Sequence, residues 1–242
     1  MQDRGWIDLH SHVLPQLDDG SESVEMSVAM LRRMAEQGVG AVCATSHYYR
    51  QQNSIETFCA RRADALDRLL VNLPEGLPRI LPAAEVAFFS GISEKPDLGR
   101  LCIQGTRTLM LEMPFSDWTD LQVEEVSALV LDRGFSVVLV HPERFCSSKG
   151  NRQKLRQLEE LPVGLQVNAG TLLHWMDRRV GLNLLREAPI PLLGSDCHNL
   201  TTRPPNLKEG RKIVIQKLGS AFLDKMDENA ADLTRQTANA TT

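Results

Sequence analysis

The chain of 242 residues contains six histidines, and five of them fall at or just past the end of a short apolar run. His10 and His12 follow Trp6–Leu9, His47 follows Ala41–Ala44, His141 follows Val137–Val140 and His198 follows Ile190–Leu193. Carboxylates hold the equivalent place elsewhere: Glu85 after Ile80–Ala84, Glu112 after Leu109–Leu111, Asp196 after Ile190–Leu193. His10-Ser11-His12 has a two-residue period, so both rings can leave one side of an extended segment and chelate one cation. Asp196-Cys197-His198 repeats that spacing with a carboxylate. Taken singly, each histidine reads as an ordinary core or loop residue; the joint placement carries the inference. Imidazole and carboxylate donors without cysteine suit Mn, Fe or Zn better than a structural sulfur site. The donors outnumber the needs of one ion, which points to two or three divalent ions with a bridging carboxylate such as Glu85. Clusters of that kind activate water and clamp a phosphoryl group for in-line attack.

Arginine should then recognise the anion, because its planar fork matches phosphate oxygens. Arg144 stands three residues after His141 and Arg203 five residues after His198, both outside apolar runs. Lys149 and Arg50 are weaker candidates of the same kind.

Side chains spread from residue 10 to residue 198 can meet only if the chain returns repeatedly to one place. Seven apolar runs (the six above and Leu165–Val167) alternate with amphipathic segments. Several runs lack polar alternation, which suits strands covered on both faces. Helical patterns run from Val24 to a stop at Gly38, from Ile55 to Pro74 and from Leu121 to Gly134; others follow Gly150, Gly170 and Pro205. Alternating strands and helices imply a mostly parallel α/β architecture. In such folds the C-terminal strand ends share one crevice. No composition break divides the chain, so residues 1–228 read as a single domain. The Ala/Asn/Thr-rich stretch 229–242 reads as a flexible polar tail.

Composition narrows the function classes. A formal net charge of −4 provides no basic footprint for nucleic acid. No apolar run approaches the roughly 18 residues of a membrane span, and the first apolar segment is too short for a signal sequence. The five cysteines form no CxxC pair and mostly sit in apolar runs, which predicts reduced thiols and a cytoplasmic protein.

The motifs run colinearly from Ile7 to Pro205. They are Ile-Asp-Leu-His-Ser-His-Val-Leu-Pro (7–15), Leu-Asp-Asp-Gly (17–20), Ala-Thr-Ser-His (44–47), Ala-Ala-Glu-Val (83–86) and Leu-Glu-Met-Pro (111–114). His-Pro-Glu-Arg (141–144), Val-Asn-Ala-Gly (167–170), Gly-Ser-Asp-Cys-His-Asn (194–199) and Arg-Pro-Pro (203–205) complete the set. In these the chain resembles the polymerase-and-histidinol-phosphatase (PHP) superfamily, and within it the CpsB/CapC/YwqE-type bacterial protein-tyrosine phosphatases. The resemblance implies a distorted (β/α)7 barrel of the TIM type and a trinuclear, usually manganese-dependent site. It implies His10, His12, Glu85 and Asp196 as ligands of one ion, and His47, Glu85, Glu112 and His141 as ligands of a second. Asp19 and His198 would serve a third, Arg144 and Arg203 would bind phosphate, and His198 could also act as an acid. The implied substrate is a phosphotyrosyl protein, a tyrosine autokinase that controls capsule or exopolysaccharide export.

Two departures stand out: Tyr48 where many members carry a second histidine, and Cys197 between two ligands. Three other readings compete. Cys146-Ser147-Ser148-Lys149-Gly150-Asn151-Arg152 fits the C-x5-R loop of cysteine phosphatases, although it leaves the histidines unexplained. The same metal chemistry could serve a small phosphomonoester such as histidinol phosphate or a sugar phosphate. The domain could also be a non-catalytic, metal-stabilised docking module.

Overall fold

A computed structural model describes residues 5–146 and 148–236. Among the described residues the apolar runs become nine short strands: β1 (Trp6–Ser11), β2 (Val39–Ala44), β3 (His47–Tyr48), β4 (Arg79–Pro82), β5 (Glu85–Ala87), β6 (Thr108–Glu112), β7 (Ser136–Val140), β8 (Gly164–Asn168) and β9 (Ile190–Gly194). Every pairing between them is parallel. One sheet runs β1-β2-β4 and the other β3-β5-β6-β7-β8-β9. β2 and β3 are two halves of one stave, and β4 and β5 of the next. Backbone bonds from Ala83 N to Ala44 O (2.9 Å) and Glu85 N to Thr45 O (3.1 Å) carry the pairing across both breaks. The last gap closes where Asp196 N donates to His10 O (2.8 Å) and His12 N to Cys197 O (2.9 Å). The result is the expected distorted barrel of seven staves.

Among the described residues eight helices surround it: α1 (Val24–Glu36), α2 (Ile55–Val71), α3 (Asp120–Leu131), α4 (Lys149–Leu158), α5 (Ala169–Leu173), α6 (Arg178–Glu187), α7 (Leu207–Leu218) and α8 (Ser220–Leu233). Local chemistry sets their starts. Ser23 accepts from Met26 N at the head of α1, and Thr119 and Gln122 cap α3 reciprocally. Between β5 and β6 the chain makes two 3-10 turns, Ile92–Glu94 and Leu98–Leu101, instead of a helix.

Two apolar layers explain the continuous hydrophobic runs. Leu9, Cys43, Leu81, Met110, Val138 and Leu192 belong to a buried cluster separate from the larger one that holds Leu109, Leu111, Val137, Leu139, Leu165 and Val167 together with helix residues such as Val126, Leu155 and Leu185. Alternate residues of each strand thus feed different layers, and neither face meets water.

The tail expectation is corrected. α8 extends to Leu233, and Ala230, on its last turn, joins the smaller cluster with Leu9 and Met110. Thr108 Oγ1 donates to Leu233 O (2.7 Å), and Asn229 Nδ2 to Pro191 O (3.2 Å). A small side chain at 230 lets the helix lie close to the strands, so a composition suggestive of a tail builds part of the core. Residues 237–242 lie outside the described residues. All five cysteines are unpaired. Among the described residues no helix is long and apolar enough to cross a membrane.

Candidate metal centre

The C-terminal strand ends bring the five histidines and their carboxylates together. His10 Nε2 lies 3.2 Å from His12 Nε2 and 3.1 Å from Glu85 Oε2. His12 Nε2 is 3.2 Å from the same Glu85 oxygen. Asp196 Oδ1 completes the group, 3.5 Å from His10 Nε2 and 3.4 Å from His12 Nε2. Four ligands placed tetrahedrally about one ion at bonds of about 2.1 Å stand roughly 3.4 Å from one another. These four donor atoms are spaced to fit.

On the other oxygen of Glu85, His141 Nε2 approaches Oε1 to 2.7 Å and lies 3.6 Å from Glu112 Oε1. His47 presents one nitrogen to each neighbour: Nδ1 is 3.1 Å from Glu85 Oε2, and Nε2 is 3.4 Å from Asp19 Oδ1. Asp19 Oδ1 is also 3.4 Å from His198 Nε2. The structure therefore groups His47 with Asp19 and His198 as well as with Glu85 and Glu112. By sequence two protein donors would serve a third ion, and this grouping would add His47 to them.

Hydrogen bonds behind the cluster fix which nitrogen is free. Gln166 Nε2 donates to Asn168 Oδ1 (2.9 Å), so Gln166 Oε1 accepts from His10 Nδ1 (2.6 Å). Asp18 Oδ2 accepts from His12 Nδ1 (2.7 Å) and from His47 N (2.9 Å). The carbonyl of Asp196 accepts from His198 Nδ1 (3.0 Å). A neutral imidazole with Nδ1–H so engaged turns its Nε2 lone pair toward the cluster, the arrangement of a ligating histidine. The same tautomer argues against His198 as a proton donor through Nε2.

The charges around the cluster shift its titrating groups. Burial works against charge on His10, but Glu85 and Asp196 outweigh it and raise the ring's pKa. His12 is raised likewise, against burial, by Asp18. Burial and then the neighbouring Glu85 push Glu112 up to about 7. Burial and then His12 push His198 down to about 3. The cluster asks for positive charge beyond what its side chains supply, and a cation between the carboxylates would relieve the repulsion. Asp196 Oδ1 and His198 Nε2 are buried without a hydrogen-bond partner.

Both arginines reach this centre. Arg144 Nη2 and Arg203 Nη2 donate to Asp196 Oδ2 at 2.5 and 2.8 Å. Asn168 Nδ2 donates to the same oxygen (2.7 Å). About a third of each arginine side chain stays exposed, 36% and 34%, leaving N–H groups for an incoming anion. Asn199 Oδ1 accepts from the backbone of Thr201, Thr202 and Arg203, which shapes the loop that presents Arg203. Glu143 Oε1 accepts from Asn168 N (2.8 Å) and Thr171 Oγ1 (2.9 Å), tying the Arg144 loop to the Asn168 loop. Arg50 instead stacks over Phe89, and Lys149 begins α4 as an exposed residue.

Backbone strain and missing side chains mark the same place. His141 (φ 36°) and Asp196 (φ 53°) adopt left-handed conformations unusual for non-glycine residues. A Cβ on Gly20 would stand 2.3 Å from His12 O, and one on Gly194 would stand 2.8 Å from His10 Cβ. Only glycine fits at either position, which accounts for the glycines of the Leu-Asp-Asp-Gly and Gly-Ser-Asp motifs.

Sequence reasoning missed Asp18, Gln166, Asn168, Asn199 and Glu143 as supporting residues. The motif strings containing Asp18, Asn168, Asn199 and Glu143 were the only signal for them. Tyr48 is fully buried against Phe58 and Phe89, away from the donors. The cysteine-phosphatase reading fails on geometry: Cys146 is 1% exposed, burial pushes its thiol up to about 12, and Arg152 bonds the Cys146 carbonyl. Cys197 is wholly buried, and burial raises its thiol as well.

Residues 6–235 match the family described as "Capsular polysaccharide synthesis, CpsB/CapC". The chain belongs to the CpsB/CapC family. The tyrosine-protein phosphatase YwqE of Bacillus subtilis (strain 168) is 28% identical over 237 residues, spanning 95% of this chain and 91% of that protein. The tyrosine-protein phosphatase CpsB of Streptococcus agalactiae serotype III (strain NEM316) is 26% identical over 246 residues, 94% of this chain and 97% of that one. A solved structure from work on YwqE of Bacillus subtilis and CpsB of Streptococcus pneumoniae, described as unique metal-dependent tyrosine phosphatases, superposes with a TM-score of 0.83. Sequence identity is 25%, over 96% of this chain and 95% of that one. This CpsB/CapC chain thus matches these three relatives along more than nine-tenths of their length.

Proposed function

We propose that the chain is a metal-dependent protein-tyrosine phosphatase acting on a tyrosine autokinase of capsule or exopolysaccharide synthesis. The observation that carries this reading is the single donor cluster with Arg144 and Arg203 both bonded to Asp196 at its edge. His10, His12, Glu85 and Asp196 would hold one ion. Glu85, Glu112 and His141, with His47 Nδ1 adjacent, would hold a second. Asp19, His47 and His198 would hold a third. Mixed nitrogen and oxygen donors favour Mn, with Fe or Zn as alternatives. Divalent ions in such a cluster supply an activated water and neutralise phosphoryl charge.

The chain's own residues do the rest. Arg144 and Arg203 bind non-bridging phosphoryl oxygens and offset the charge that grows in the transition state. Asp196 Oδ2, itself held by Asn168 Nδ2, keeps the guanidinium groups in place beforehand, which lowers the ordering cost of binding. Asp18 and Gln166 keep His12 and His10 in the ligating tautomer. Phenolate is a fair leaving group, since an unperturbed tyrosine titrates near 10, so no strong general acid is required. The unpaired cysteines are in keeping with a cytoplasmic site of action.

The test is hydrolysis of a phosphotyrosyl peptide by metal-stripped protein, with Mn, Zn, Fe and Mg added back singly. Turnover should depend on added metal and vanish in folded His141→Ala and Asp196→Ala variants. Turnover that survives chelation, or either variant, would refute the reading.

A further inference from the structure

Two aromatic rings lie against histidines of the cluster without belonging to the core. Tyr49 stacks on His47, with ring centroids 5.3 Å apart and planes at 25°. Phe115 stacks on His141 at 6.4 Å and 13°. His47 and His141 face the two different oxygens of Glu85, so the rings stand beside different parts of the centre. Phe115 is 60% exposed, a poor use of a phenyl group for stability alone. Its loop is nevertheless pinned. Asn151 Oδ1 accepts from Trp118 N (2.7 Å), Asn151 Nδ2 donates to Ser116 O (3.1 Å) and Phe145 O (3.2 Å), and Trp118 Nε1 donates to Pro114 O (2.8 Å). Tyr49 is half-buried and walls a cavity of about 380 Å³ that also reaches Asp19, His47 and Phe58, a volume ordinary for a small-ligand site.

Resting on the phosphatase reading, we propose that Tyr49 and Phe115 are its specificity-determining residues: they stack on the ring of an aryl phosphate and so select phenolic over alkyl esters. Offset and edge-to-face ring contacts contribute beyond buried area, and an alkyl ester such as a phosphoserine side chain cannot make them. A ring held in place before binding loses little entropy when it meets its partner.

The test uses manganese-loaded full-length protein and two non-hydrolysable probes, phenylphosphonate and methylphosphonate, with Kd measured by calorimetry. Tyr49→Ala and Phe115→Ala should each weaken phenylphosphonate roughly three- to tenfold, the worth of a lost ring contact. Methylphosphonate should change less than twofold, with metal content unchanged. Tyr49→Phe and Phe115→Tyr should retain wild-type discrimination. The loss should reappear in kcat/KM on a phosphotyrosyl peptide. Equal weakening of both probes would mean that the rings only hold His47 and His141, and unchanged phenylphosphonate binding would mean that they touch no substrate; either result overturns the proposal. Wild-type protein that discriminates the probes yet hydrolyses no phosphate ester would instead fault the phosphatase reading.

Discussion

Gly194→Ala is the most discriminating single perturbation of the centre, because it adds one methyl group far from solvent and removes no donor. The new Cβ would lie 2.8 Å from His10 Cβ, 2.9 Å from Gln166 Nε2 and 3.0 Å from Gln166 Cδ. Non-bonded carbons settle at roughly 3.5–4.0 Å, so something must move by the better part of an ångström. Gly194 ends β9, paired to Asn168 of β8, and its neighbour Ser195 is tied to Asp8 Oδ1 at 2.9 Å. The backbone is thus the stiffer partner, and the His10–Gln166 pair gives way. Overpacking of this kind costs about 1–3 kcal/mol, which for a chain of this size lowers Tm by roughly 2–4 °C per kcal/mol. Losing the partner that orients a ligating histidine costs metal affinity about 10- to 100-fold. The assay is metal titration by calorimetry beside thermal melting. Gly99→Ala serves as control, because nothing lies within 4 Å of a Cβ built there. Wild-type metal affinity with an unshifted melt in Gly194→Ala would refute the packing argument and the placement of His10 in the centre.

Asp18→Asn keeps the size of the side chain but removes the charge that orients His12; metal affinity should fall about 10- to 100-fold with the fold intact by circular dichroism. Arg144→Ala or Arg203→Ala should lower kcat by about 10²–10³ while atomic absorption finds unchanged metal content. Iodoacetamide at neutral pH should leave turnover intact, because the Cys146 thiol is buried and pushed up to about 12; a chelator should abolish turnover, and the opposite pattern would revive a cysteine nucleophile. Restoring metal at 100 times its Kd to stripped protein should stabilise it by about 2.7 kcal/mol, read as a rise in Tm.

The donors themselves were legible because their chemistry is rare and their spacing is local. His10 and His12 are two residues apart, and the strands that carry the others show as apolar runs. What escaped was whatever depends on burial or on a distant partner. Asp18 and Asp19 are adjacent and chemically identical, yet Asp18 is turned inward to His12 while the Asp19 side chain stays 64% exposed. Gln166 reads as a polar interruption of the run Leu165–Val167; only the barrel shows that it lies beneath His10. The two faces of His47, one nitrogen toward Glu85 and the other toward Asp19, follow from a ring orientation that no spacing encodes. Ala230 misled in the same way: small, weakly hydrophobic residues look like tail, but smallness is what close packing of α8 requires.

The division of labour within the barrel explains why the fold tolerates so unfavourable a centre. Five carboxylates (Asp18, Asp19, Glu85, Glu112 and Asp196) meet two guanidinium groups around rings that are mostly neutral. Removing such charges from water costs several kcal/mol each unless they are paired. Stability must come from elsewhere, and the buried layer of Leu9, Met110, Val138 and Leu192, with Ala230 beside them, is one source. The centre is built where the strands have already ended. Its misfit is concentrated in a few groups: the left-handed His141 and Asp196, the unpartnered Asp196 Oδ1 and His198 Nε2, and the Nε2 atoms of His10 and His12 facing each other at 3.2 Å. Each of these is unfavourable on its own, and divalent ions within reach of these donor atoms would satisfy the unpartnered and facing groups. A core that needs no metal therefore holds open a mouth that does, which is why metal removal should abolish turnover without unfolding the chain.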